Sequence, residues 1–370
     1  MPYAEVAPGR SLEVRTEKWV QNGFCLAHTQ DGLPVFVHGA LPGERLRVEL
    51  VKERSAHAFA VVDEVLEARK GRRPTDCVAF PRCGGCSFRH ISYEDEIALK
   101  HELLGELKYV APLRELPGFE IVTGDSDGYR RNVRLQSDGR EVGFFGLHTN
   151  RLVPLPEDGC RQASPFINEA IAAMRQGREQ AASAEPELVY RDRDQPDWGE
   201  PPGSFSQSNR HLIGPWLELL RDWLSEPIDT TELFCGSGII GGNARDRIGR
   251  YRGYDNDAVA LRFARTNFKR RAHMGDFERA DLYRRVPELT SPRVIANPPR
   301  KGLGRDLVAA VAAGAREVLY SSCNPHTLDR DLAEFERRGF RPMRAVGFDF
   351  FPRTPHLELV VLLHKTEGQG

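Results

Sequence analysis

The sequence predicts an α/β protein, with a doubly wound sheet in its C-terminal part and a small β-barrel near its N-terminus. Three observations support this. From Phe205 onward, apolar strand-like runs alternate with helical patterns. From about Ser11 to Ala68 the chain instead breaks into short strand-like runs separated by Gly and Pro. Finally, the apolar run at Val318–Tyr320 stops abruptly at Cys323, with a proline two residues later and a capped helix expected from Thr327. Strand-to-helix turns of that kind form the binding crevice of open α/β sheets.

The barrel strands are expected at Leu12–Arg15, Pro34–Val37, Arg45–Leu50 and Ala58–Val65, with a turn over Gly39–Glu44. Gly71–Pro74 reads as a linker. A helix is expected from Tyr93 to Tyr109, strand-like alternation from Tyr129 to Cys160, and a helix from Ala170 to Ala184. The charged, Pro-rich stretch from Arg191 to Pro202 reads as a boundary. These shifts divide the chain into three domains, residues 1–68, 69–200 and 201–370.

In the last domain, strands are expected at Asp229–Phe234, Arg252–Tyr254, Arg293–Ala296, Glu317–Tyr320, Met343–Phe348 and Leu357–Leu363. No helix separates the last two, so they should pair antiparallel at the end of the sheet.

Composition limits the function. The formal net charge is −1, so no global cationic field points to nucleic acid. The charge is nevertheless uneven, with twelve Lys/Arg against six Asp/Glu between Arg245 and Arg285. Such a stretch suits either phosphate contacts or a solvated helix face. No apolar run is long enough to span a membrane. The first residues lack the plan of a signal peptide, and a cytoplasmic protein is expected.

Seven cysteines in such a chain are unsuited to disulfides. Cys25 and Cys235 lie in apolar strand-like stretches and read as packing residues. Cys77, Cys83 and Cys86 fall within ten residues, and Gly84 and Gly85 let the backbone wrap an inorganic centre. Cys160 can supply a fourth ligand. Four cysteines suit zinc or an iron–sulfur cluster.

Glu232–Gly241 runs from a strand into a glycine turn and then a helix, with Gly236, Gly238 and Gly241 in G-x-G-x-x-G spacing. Asp255 ends the next strand, nineteen residues after Gly236, where a carboxylate can accept from ribose hydroxyls. The pattern alone does not separate NAD from S-adenosylmethionine. Asp281 falls where a third strand should end, a place suited to an adenine amino group. Asn297-Pro-Pro-Arg300 follows the fourth strand at the cleft rim. Cys323 and Glu358, in neighbouring apolar strands, form a nucleophile and base pair.

Taken in order, these pieces resemble a known family. Val35–Leu46 resembles a TRAM domain, a small RNA-binding barrel of the OB type. The cysteine cluster, Ser204–Asn209, Leu233–Gly238, Ser322–Pro325 and Phe351–Glu358 resemble the S-adenosylmethionine-dependent RNA uracil-C5 methyltransferases that carry an iron–sulfur cluster. The resemblance covers nearly the whole chain. It implies a Rossmann-like class I methyltransferase sheet, a TRAM barrel and a central iron–sulfur domain. It implies a [4Fe-4S] cluster on Cys77, Cys83, Cys86 and Cys160, with Cys323 as nucleophile and Glu358 as proton acceptor. Gln207, Phe234, Asp255 and Asp281 would line the S-adenosylmethionine site. Gly236 and Gly238 in the turn and Asn297 at the rim complete the expected cofactor-binding set.

The substrate is expected to be RNA, with 23S rRNA favoured over tRNA, and the protein to act as a monomer. The chain departs from the family pattern in three places. Asn297 stands where the family has Asp, Asp255 where it has Glu, and Ile239-Ile240 follow the glycine turn. Asn297 keeps cytosine open as the target base.

The chemistry accounts for these residue types. C5 of uracil is a poor nucleophile until a thiolate adds at C6 and makes the ring an enolate. A cysteine thiolate is the soft nucleophile for that step, and the turn with its helix N-terminus is expected to lower the Cys323 pKa. A carboxylate must then remove the C5 proton so that elimination frees the cysteine. A stacked base is out of reach, so the nucleotide must flip.

Overall fold

The computed structural model describes residues 9–138, 141–176, 187–191, 198–200 and 206–366, which fall into two compact units. The sequence-based boundary at 191–202 and the residues Ser204 and Phe205 lie largely outside the described residues.

The first unit holds residues up to Leu103, Asp125–Asp192 and the short segment Phe351–Pro355. Five strands close its barrel: β1 (Ser11–Val20), β2 (Phe24–His28), β3 (Pro34–His38), β4 (Arg45–Glu53) and β5 (Ala58–Glu67), in the order β1-β2-β3-β5-β4. Alternation fills the interior with Val14, Cys25, Ala27, Val35, Val37, Leu46, Val48, Ala58 and Ala60. Cys25 is fully buried, as a packing residue should be. Glu44, also buried, holds Arg72 and the amide of Leu41.

Helix α1 (Tyr93–Leu104) follows, ending five residues earlier than the pattern suggested, because Leu107 N–H turns back to Leu104 O. Strands β7 (Asn132–Ser137), β8 (Val142–Phe145), β9 (Leu152–Pro154) and β10 (Glu187–Arg191) form a sheet in the order β10-β7-β8-β9. Helix α2 (Pro165–Arg175) starts with Pro after the capping Ser164, whose hydroxyl accepts from Ile167 N–H. It begins before the expected helix at Ala170, whose last residues lie outside those described.

The second unit holds Leu104–Gly124, Arg193–Phe350 and residues from His356. Its sheet contains β6 (Ile121–Val122), β11 (Ile228–Leu233), β12 (Ile248–Asp255), β13 (Asp276–Arg279), β14 (Arg293–Ala296), β15 (Glu317–Ser322), β16 (Phe340–Phe348) and β17 (Glu358–Lys365). The order is β13-β12-β11-β14-β15-β17-β16-β6. The first five are mutually parallel, and β17 runs antiparallel to both β15 and β16. The antiparallel pair was expected, but it does not end the sheet. The two-residue β6 adds a parallel edge to β16, too short to show a pattern in sequence.

Helices α3 (Ile213–Asp222), α4 (Ile239–Asn243), α5 (Ala258–Arg270), α6 (Arg305–Gly314) and α7 (Pro325–Glu336) alternate with the parallel strands. The core joins Val294, Ala296, Val318, Tyr320, Val361 and Leu363 of the sheet with Leu307, Val311, Leu328 and Phe335 of α6 and α7. Each fully buried Val, Leu or Phe contributes about 1.5–3 kcal/mol. Arg293 is buried at the start of β14, satisfied by Glu317 and by the carbonyls of Glu226 (3.0 Å) and Arg247 (2.8 Å). Among the described residues, no helix is long and apolar enough to cross a membrane.

Candidate active site

The glycine turn comes from the end of β11. Phe234 adopts φ 58°, in the left-handed region, and Gly236 and Gly238 follow at φ 54° and 75°. At Gly238 an added Cβ would stand 3.0 Å from the Phe268 ring, so only glycine fits there without a shift. At Gly236 a Cβ would meet nothing within 4 Å, so this side of the turn faces open space. Asp255, at the end of β12, clamps the turn. One carboxylate oxygen accepts from Gly236 N–H and the other from Asp257 N–H, both at 2.8 Å. Burial raises the Asp255 pKa, and those N–H groups oppose the rise.

Beneath the turn lies Glu232, fully buried, accepting from Gly241 N–H at 2.9 Å and Tyr251 O–H at 2.8 Å. Its burial pushes the carboxyl up to about 7. Cys235 is buried beside it, as expected of a packing cysteine.

The Phe234 ring packs against Tyr283, centroids 5.4 Å apart. Asp281, two residues beyond β13, is exposed. It accepts from Tyr283 N–H at 3.2 Å and pairs with Arg284 at 3.3 Å. Gln207 is buried, and its Nε2 has no hydrogen-bond partner among the described residues. A buried amide donor without a partner costs about 1–3 kcal/mol. A bound polar ligand would relieve that cost. The open glycine turn and this orphaned donor therefore fit an S-adenosylmethionine site.

Asn297 follows β14. It is half-buried, and its backbone N–H reaches Leu233 O at 3.4 Å. The loop beyond it is fastened to α7. Arg300 O accepts from Asn324 Nδ2 at 2.9 Å and Thr327 Oγ1 at 3.1 Å. Buried Asp331 accepts from Leu303 N–H (2.7 Å), Gly304 N–H (3.1 Å) and Tyr320 O–H (2.7 Å). Thus α7, β15 and the Asn297 loop share one buried carboxylate.

Cys323 sits one residue past β15. Helix α7 begins at Pro325, two residues before the expected start, and Asn324 caps it by accepting from His326 N–H at 3.2 Å. In the antiparallel register Ser322 faces Leu359, so the next step places Cys323 opposite Glu358. Side chains alternate along strands, which puts Ser321, Cys323 and Glu358 on one face. Glu358 is buried and accepts from Ser321 Oγ–H. Ser321 Oγ in turn accepts from Trp216 Nε1–H at 3.2 Å. An indole N–H can only donate, so the hydroxyl proton of Ser321 is directed at Glu358.

The pKa values correct one expectation. Cys323 is not lowered. Burial first, then the charge of Glu358, pushes its thiol up to about 11, and the positive Arg300 only partly opposes them. A neutral, half-buried thiol beside a carboxylate outweighs the helix N-terminus. Burial also raises Glu358 to about 7, against the lowering effect of the Ser321 hydrogen bond. A carboxyl near 7 is poised for proton transfer at neutral pH.

The other cysteines lie in the first unit. Cys83 bridges to Gly146, and Gly84 N–H donates to Phe145 O at 3.2 Å, so their loop lies along the β8–β9 hairpin. A Cβ at Gly84 would stand 2.9 Å from that carbonyl. Burial raises Cys83 to about 11 and Cys86 to about 12, and Cys160 adds to both rises. Cys77 also raises Cys83. Gly85 N–H and Arg89 Nε–H point at the Cys83 and Cys86 sulfurs, each at 3.4 Å. Among the described residues, however, no three His, Cys, Asp or Glu side chains stand in metal-ligating arrangement. The donor set suits a metal centre, but its sulfurs are not gathered around one point.

The fold, with its open glycine turn and a thiol–carboxylate pair at the carboxyl ends of the strands, defines a class I methyltransferase. Its architecture matches the crystal structure of Pyrococcus abyssi tRNA (uracil-54, C5)-methyltransferase in complex with S-adenosyl-L-homocysteine. The TM-score is 0.71 at 21% identity, covering 94% of this chain and 99% of that one. Residues 270–366 match the tRNA (uracil-5-)-methyltransferase family model, and residues 5–62 match the TRAM domain. An RNA methyltransferase of Leptospira interrogans, otherwise uncharacterised, is 30% identical over 98% of this chain and 97% of its own length. The 23S rRNA (uracil(1939)-C(5))-methyltransferase RlmD of Pseudomonas aeruginosa is 28% identical over 96% of this chain and 94% of its own. The chain belongs to the family of S-adenosylmethionine-dependent RNA (uracil-C5) methyltransferases.

Sequence reasoning named Cys323, Glu358, Asp255 and Gln207 but missed Ser321, Trp216 and Asp331. Ser321 had one available signal, its position two residues before Cys323 on the same strand. Trp216 lies 105 residues away and carried none.

Proposed function

We propose that this enzyme methylates C5 of a uridine in RNA, with Cys323 as covalent nucleophile and Glu358 as the base that ends the reaction. The observation that carries the proposal is the placement of Cys323 opposite Glu358 on adjacent strands, with Glu358 raised to about 7.

S-adenosylmethionine, the second substrate, supplies an electrophilic methyl group. Gln207, Phe234, Gly236, Gly238, Asp255 and Asp281 bind it, and Asn297 stands where the donor and the target base meet. Cys323 loses its proton, favoured by Arg300, and its sulfur bonds to C6 of the flipped uracil. The electron pair of C5=C6 moves to C5, which takes the methyl. Glu358 then accepts the C5 proton, the double bond re-forms and the C6–sulfur bond breaks. Protonated Glu358 gives its proton to solvent before the next turnover.

The Asn297 amide can accept from N3–H of uracil with its oxygen and donate to O4 with its nitrogen. A flipped amide would match cytosine, so the Asp-to-Asn departure makes base identity the point to test. The TRAM barrel and the RlmD relative favour 23S rRNA in the cytoplasm; a tRNA target is the second reading, favoured by the tRNA enzyme that shares the fold. The cysteines Cys77, Cys83, Cys86 and Cys160 are the ligands we assign to a [4Fe-4S] cluster, which would supply a rigid, folding-coupled cross-link. Their mutual electrostatic influence and the N–H groups aimed at two sulfurs support this set.

The test is nucleoside analysis of 23S rRNA and tRNA treated with enzyme and methyl-labelled S-adenosylmethionine. Label is expected in 5-methyluridine. Label in 5-methylcytidine would overturn the base assignment and point to Asn297.

A further inference from the structure

The barrel carries an aromatic surface that the methylation chemistry does not use. On β3 and β5 the core-facing residues are Val35, Val37, Ala58 and Ala60, so Phe36 and Phe59 between them point outward. Their centroids are 5.4 Å apart. His57 stands edge-on to both, at 5.7 and 5.2 Å. Phe24 of β2 packs behind them, 6.4 Å from Phe36 and 5.5 Å from Phe59. The exposed His148, from the β8–β9 turn, lies 4.0 Å from Phe59 and stacks on Phe24. Phe24 is thereby covered, while Phe36, Phe59 and His57 keep part of their surface in solvent. Lys52 and Arg54, both exposed, lie close enough for their charges to act on His148.

We propose that Phe36, Phe59 and His57 form a stacking platform for unpaired bases of the RNA substrate, with Lys52 and Arg54 meeting its phosphates. The proposal rests on the RNA reading of this chain and goes beyond it by naming a surface separate from the methylation residues. Two adjoining outward phenylalanines beside two free-standing cations match what single-stranded nucleic acid offers, a run of π-faces along an anionic backbone. Every base has a π-face, so the platform holds the strand without reading its sequence. A duplex keeps its bases stacked inside and offers the platform nothing but phosphate.

The experiment uses the full chain and a fluorescein-labelled single-stranded oligouridylate of about ten nucleotides, within the usual span of one such barrel. A duplex of equal length serves as comparison. Phe36→Ala and Phe59→Ala are each expected to weaken single-strand binding by about ten-fold and leave duplex binding within two-fold. Lys52→Ala should reduce the salt dependence of binding by about one phosphate contact. Phe36→Trp should keep wild-type affinity, and its added fluorescence should be quenched as a base stacks on it.

The Trp variant keeps the test decisive if the Ala variants fold poorly. Wild-type affinity in both Ala variants, or unquenched Phe36→Trp emission at saturation, overturns the platform. If the wild type still methylates RNA in that case, only the platform fails. If the wild type neither binds nor methylates RNA, the RNA reading fails and takes this proposal with it.

Discussion

Replacing Glu358 by Gln separates the two consequences of burying a carboxyl beside Cys323. The first is energetic. Glu358 is raised from an ordinary 4.5 to about 7 by burial, so ionising it in the folded protein costs about 3 kcal/mol more than in the unfolded chain. The sign follows from proton binding. Between pH 4.5 and 7 the unfolded chain releases this proton and the folded protein retains it, so stability falls as pH rises through that window. Below 4.5 the cost is absent, and above 7 it is fully present.

Gln keeps an oxygen that can accept from Ser321 and removes the ionisation. The stability of Glu358→Gln minus that of wild type should therefore increase by up to about 3 kcal/mol from pH 4.5 to 7, then stay level. The equally raised Glu232 is present in both proteins and cancels. Urea unfolding followed by tryptophan fluorescence measures this, because Trp216 lies against Ser321. The second consequence is chemical. Without an acceptor for the C5 proton, turnover should fall by about 10²–10⁴ and an enzyme–RNA adduct should build up on a denaturing gel. A stability difference that does not change with pH, together with normal turnover, would refute both the raised pKa and the role.

Other perturbations have separate expected outcomes. Cys323→Ala should abolish methylation and leave S-adenosylmethionine affinity within a few-fold, measured by calorimetry; methylation near the wild-type rate would dismiss the covalent route. Ser321→Ala removes the hydrogen bond that holds Glu358 down, so the acid limb of kcat against pH should move up by roughly one pH unit. An unmoved limb would show that Ser321 only packs. Protein purified without oxygen should be brown and contain iron, and Cys86→Ala should lose the colour and lower the soluble yield. Stoichiometric zinc without iron would rule the cluster out.

Much of this site was legible because its chemistry sits in short contiguous runs. The turn at Gly236 and Gly238 and the strand ends at Asp255, Cys323 and Glu358 are local patterns with local reasons. What was missed depends on contacts far apart in sequence. Trp216 and Ser321 meet only after α3 packs on the sheet, and nothing near either residue predicts the other. Asp331 reads as one more polar residue of α7, yet it gathers Tyr320, Leu303 and Gly304. The two-residue β6 is too short for alternation to show. The direction of the Cys323 shift failed for a different reason. The helix N-terminus was visible in the sequence, whereas the burial and the facing Glu358 that outweigh it belong to the folded sheet.

The central claim is that Cys323 bonds to C6 of a uridine whose C5 proton Glu358 must remove. RNA in which the target uridine carries fluorine at C5 has no such proton, so the reaction should stop after methyl transfer with the nucleotide still attached. Digestion and mass spectrometry of enzyme incubated with this RNA and S-adenosylmethionine should find a methylated fluorouridine nucleotide on the peptide containing Cys323. Unmodified Cys323 peptide, with the enzyme still methylating ordinary RNA, would contradict the account.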